Sequence, residues 1–77
     1  MATKFIEIPV HEKTYRKSGL VRVQMINLDY IIRFHPSDNH EFIDETFIEL
    51  SHGYNNLEII RTTFSYHELK SIISREF

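Results

Sequence analysis

The 77-residue sequence predicts an α+β domain, a small antiparallel β-meander of four to five strands with one C-terminal helix packed on it. Three observations carry that expectation. Short β-branched runs of alternating polarity recur along the chain, the mark of half-buried strands. Two of them, at 46–50 and 57–62, flank a stretch with Gly53, Asn55 and Asn56, residue types that turn a hairpin. The last residues change to a helical period behind a capping signal, Ser65-Tyr66-His67-Glu68.

Taken in order, the elements divide a single domain, 1–77, into an N-terminal hairpin (5–25), an acidic loop (35–45), a second hairpin (46–62) and a helix (66–75). In the first strand Ile6, Ile8 and Val10 share a face, and Pro9, which has no N–H to give a ladder, suggests an edge or a strand end. A polar stretch closing on Gly19 connects it to the next strand. The densest apolar stretch, 21–34, sets Val21, Val23 and Met25 on one face, expected as core, against Arg22 and Gln24 on the other. Asn27 then caps a single helical or 3₁₀ turn anchored by Leu28 and Ile31. His35-Pro36 ends the extended run that follows. The loop to Glu45 is read as the most mobile segment, with Phe42 and Ile43 as its apolar anchors. In the second hairpin Thr46, Ile48 and Leu50 share one face, and Leu57 and Ile59 oppose Glu58 and Ile60. Tyr66, Leu69, Ile72, Ile73 and Phe77 fall on one helical stripe, and Phe64 with Leu69 forms a hydrophobic staple.

Composition narrows the function classes. A chain this short has a thin core and needs an economical interior or a partner. It has no cysteine, which removes disulfides, thiolate metal sites and thiol chemistry and fits a cytoplasmic setting. No stretch has the length and apolarity of a membrane span or a signal peptide. Net charge is −2 but uneven: residues 1–33 hold six Lys/Arg, whereas 34–60 hold none and six acids. That split could steer an oppositely charged partner.

Catalytic and metal signals are weak. His35 and His40 with Asp38 and Glu41 are the best cluster of ligating types, yet their spacing matches no common metal motif. Ser18, Ser51 and Ser65 are explained by turns or a cap, and Glu49 and Glu58 sit on an open sheet with no evident pocket. No catalytic residue, metal, cofactor or small-molecule substrate is therefore expected. The basic group Lys13, Arg16, Lys17 and Arg22, with Tyr15 among them, is the one nucleic-acid feature, since aromatics stack on bases while cations meet phosphates. The leading expectation is a protein-interaction or assembly module, extending to self-association through a sheet face exposing Phe5, Phe47, Tyr54 and Ile60.

From 24 to 73 the order of features resembles the FlbD-like family of small bacterial flagellar and swarming-motility proteins. Asn27-Leu28-Asp29-Tyr30-Ile31, Thr46-Phe47-Ile48-Glu49-Leu50, the turn at Gly53 and the helix after Ser65 carry the likeness. The N-terminal hairpin and the acidic loop are additions to that pattern. A similar asparagine turn occurs in LytTR-type DNA-binding domains. The resemblance implies a bacterial or phage cytoplasmic accessory protein built as a β-meander ending in a helix, and it brings no catalytic residue.

Overall fold

The computed structural model describes residues 4–16, 19–51 and 56–76. Five strands and one helix follow in the order β1 (Phe5–His11), β2 (Val21–Asn27), β3 (Ile31–Pro36), β4 (Thr46–Ser51), β5 (Leu57–Thr62) and α1 (Tyr66–Glu76). All pairings are antiparallel, and the spatial order is β2-β1-β5-β4-β3. The α+β meander with a closing helix is thus the fold observed.

The outermost strands β2 and β3 are joined by only one 3₁₀ turn, Leu28–Tyr30. Four Cα–Cα steps reach at most about 14 Å, and a 3₁₀ turn rises only about 2 Å per residue. Five strands laid flat would hold their edges about 19 Å apart. The sheet therefore curls towards an open barrel, bringing the end of β2 to the start of β3. Asn27 fixes this corner as its sequence suggests: its side-chain carbonyl accepts the Asp29 N–H at 2.9 Å, and Leu28 is buried beneath.

The concave face holds the core. Ile6, Ile8 and Val10 of β1 meet Ile26 and Leu28, Ile48 and Leu50 of β4, Ile60 of β5 and Leu69 of α1. Register decides which side of each strand takes part. Because Ile6 lies opposite Ile26 and Val10 opposite Arg22, β2 turns Arg22, Gln24 and Ile26 to the concave face and Val21, Val23 and Met25 outwards. The latter three are exposed rather than core. Ile48 likewise faces Ile60, so Ile60 points inwards, 6% exposed, while Leu57 and Ile59 point out. Both reversals correct the alternation read from sequence. Period two defines two faces without saying which one is inside.

Pro9 is a further correction, since β1 lies inside the sheet. Its pairing with β5 is confined to Val10–Thr62, and the Pro9 carbonyl accepts the Thr62 hydroxyl at 2.7 Å. On α1, Ser65 Oγ accepts the Glu68 N–H at 3.2 Å as a capping box requires, and the same hydroxyl donates to Glu68 Oε1. Tyr66 packs on Phe34 with ring centroids 5.5 Å apart, and Leu69 is wholly buried. Phe77 lies outside the described residues. Leu69→Ala is expected to cost about 2–4 kcal/mol, read as a lower midpoint in urea unfolding. Ser65→Ala, which loses the cap alone, is expected to cost about 1 kcal/mol.

Candidate functional site

On the convex face, register sets Phe47 of β4 opposite Arg61 of β5. Arg61 is 0% exposed. A guanidinium has five N–H groups to satisfy, so burial demands partners. Nη1 donates to the Thr14 carbonyl at 2.8 Å and Nη2 to the Arg16 carbonyl at 3.0 Å. Nε lies 3.1 Å from Glu45 Oε1 but is not aligned for a hydrogen bond, so that contact is Coulombic. The flat of the guanidinium sits 3.8 Å from the centre of the Phe42 ring, a cation–π contact. The second oxygen of Glu45 meets His11 Nε2 at 2.6 Å.

This cluster closes over Phe47. Tyr15 stacks on the Phe47 ring at 5.9 Å, His35 at 5.8 Å, and Phe42 meets it edge-on at 6.4 Å. Phe47 is consequently 9% exposed. The surface expected to be open at Phe47 and Ile60 is therefore filled at both residues, by the chain's own loops at the first and by the core at the second. Phe5 does lie on the convex face and is exposed. Tyr54 and Lys17 fall outside the described residues.

The acidic loop is also more structured than its composition suggests. Asn39 caps a 3₁₀ turn, His40–Phe42, by accepting the Glu41 N–H, and the Ser37 N–H donates to the Glu45 carbonyl at 2.9 Å. Of the two apolar anchors expected in this loop, Phe42 is buried, whereas Ile43 is exposed. A cavity of about 290 Å³ beside this loop is lined by His11, His40, Glu41, Asp44, Glu45 and Arg61 among others. Among the described residues, no three His or carboxylate groups converge as a metal site.

Of the basic group, Lys13 and Arg16 are exposed on the loop after β1. Tyr15 lies over the convex face, but Arg22 stands on the concave side of β2, opposite Val10. The four described members are therefore not gathered on one face. A second cavity, about 330 Å³, opens where the curled sheet brings β2 near the turn end of β4 and β5. Its floor is Ile26, Leu50 and Ile60, with Gln24 and Glu58 also lining it. Sequence alone offered no signal for it, because it arises from curvature.

Several large apolar side chains also remain open. Val23 is 68% exposed, Met25 63% and Leu57 69%, and Val21 and Ile59 are exposed as well, each on the convex side of its strand. No described helix is long and apolar enough to cross a membrane. Comparison with known protein families, curated proteins and solved structures finds no match to this chain.

Removing the buried cation should expose how much it organises. Arg61→Met strands Glu45 and two loop carbonyls and is expected to cost about 3–5 kcal/mol, the usual penalty for breaking a buried pair. Faster amide exchange in the segment following β1, compared with wild type, is the accompanying readout.

Proposed function

We propose that this domain is a protein-interaction or assembly module that acts by contact and carries no catalysis of its own. The single observation behind this reading is the set of large apolar side chains left on the convex side, Val21, Val23 and Met25 on β2 with Leu57 and Ile59 on β5. Burying such side chains gains roughly 25 cal/mol per Å² of apolar area removed from water. A small domain that spends its few large apolar residues outside its core does so at a cost unless a partner covers them. The contact surface proposed from sequence is thereby relocated: Phe5 stays on it, and Val23, Met25 and Leu57 take the place of Phe47 and Ile60. Nucleic-acid binding through Lys13, Tyr15, Arg16 and Arg22 has less support, because Arg22 and Tyr15 face opposite sides of the sheet.

The test is site-specific photo-crosslinking in cells producing the full chain. A photoreactive side chain at Val23 or Leu57 is expected to yield discrete protein adducts, and one at the solvent-facing helix position Lys70 is not. Adducts equal at all three positions, or at none, overturn the reading.

A further inference from the structure

The two edges of the sheet are finished differently. On β3 the ladder to β4 is broken by a bulge between Ile31 and Arg33, and the strand ends in Pro36. It also carries the exposed Arg33, paired with Glu49. A bulge, a proline and a charge are the devices that stop a strand edge from recruiting another strand. β2 has neither the bulge nor the proline. It pairs with β1 over seven consecutive residues, and Arg22 is its one charge.

The hydrogen-bond phase of β2 follows from its ends. Glu12 N–H donates to the Leu20 carbonyl at 2.8 Å, and Leu28 N–H donates to the Lys4 carbonyl at 3.0 Å. Antiparallel ladders exchange bonds at every second pair. Arg22, Gln24 and Ile26 therefore spend their backbone groups on β1. Val21, Val23 and Met25 direct theirs to the outer edge, where the described residues provide no strand. The residues with outward backbone groups are also those with exposed apolar side chains.

We infer that β2 is the docking edge of this module and that its occupant is a second copy of the same strand, paired antiparallel about a two-fold axis through Gln24. This rests on the protein-interaction reading above and names its partner. The strand is complementary to itself in that register. Val23 meets Met25 of the other copy, two apolar residues whose backbone groups both face the new ladder. Gln24 meets Gln24, amide to amide. Arg22 meets Ile26, and the two Arg22 side chains stand four residues apart, about 14 Å. Shifting the axis to Val23 would bring them to about 7 Å, a like-charge approach that the Gln24 register avoids. Two five-stranded sheets become one continuous sheet, and the exposed row on each β2 extends across the junction. An isologous contact of this kind closes on itself as a dimer.

The cysteine-free chain makes the register directly measurable. Facing residues at a non-hydrogen-bonded antiparallel pair have Cα atoms about 4.5 Å apart, within the range of about 4.4–6.8 Å that a disulfide spans. Gln24→Cys is expected to give a covalent dimer on mild oxidation at least about tenfold faster than Arg22→Cys, whose sulfurs lie too far apart to bridge. Sedimentation equilibrium of the wild-type chain is expected to show a concentration-dependent dimer. Val23→Pro removes an N–H that β1 does not use, and is expected to weaken that dimer at least about tenfold with little change in circular dichroism. A wild-type chain that stays monomeric across the concentration series, or Gln24→Cys and Arg22→Cys crosslinking at equal rates, overturns the proposal. If Val23→Pro fails to fold, the two cysteine variants still decide. Photo-adducts at Val23 with a different protein, combined with a monomeric chain, would overturn self-pairing while sustaining the interaction reading. Absence of both would remove the two together.

Discussion

Three residues, Leu28 to Tyr30, have to connect the two outermost strands of a five-stranded sheet. That distance limit bends the sheet, and most of the structure follows from the bend. A curled sheet has a concave side on which one short helix suffices to complete a core, so Leu69 joins the cluster that holds Ile48 and Ile60 without a second layer. It also has a convex side with more area to cover than a chain of this length can supply. Asn27 holds the corner by capping the turn.

The chain covers half of that convex side and leaves the rest. Over β4 and the end of β5 it lays down two loops, and Arg61 holds both: two backbone carbonyls from the segment after β1, and Glu45 and the Phe42 ring from the acidic segment. Phe47 is the apolar centre around which the rings gather. Over β2 and the start of β5 no such cover exists among the described residues, and Val23, Met25 and Leu57 face outwards. The proposed interaction role rests on this asymmetry between a finished half and an unfinished half, not on any polar constellation.

Local signals were readable wherever one residue acts on its immediate neighbours. The Asn27 turn, the Ser65–Glu68 cap and the strand runs all belong to this class. Two reversals, Val21-Val23-Met25 and Leu57-Ile59 against Ile60, arose from one cause. On β2 the more apolar row is the convex one, since its register with β1 carries Arg22, Gln24 and Ile26 to the concave side. Arg61 was equally illegible. A charged residue in a strand reads as solvated, and only the arrival of carbonyls from Thr14 and Arg16, some 45 residues earlier in the chain, makes its burial tolerable.

The sequence by itself determined the class of fold, the order of its elements, the turn at Asn27 and the helix with its cap, because propensity, periodicity and capping act over a few residues. Which row of each strand faces the core, which loops cover Phe47, and which strands end the sheet among the described residues were decided only by tertiary structure. Those outcomes depend on cross-strand register and on the closure of the sheet through Leu28–Tyr30. Period-two alternation is the same seen from either side, so the choice of side is made by the strand that pairs with it.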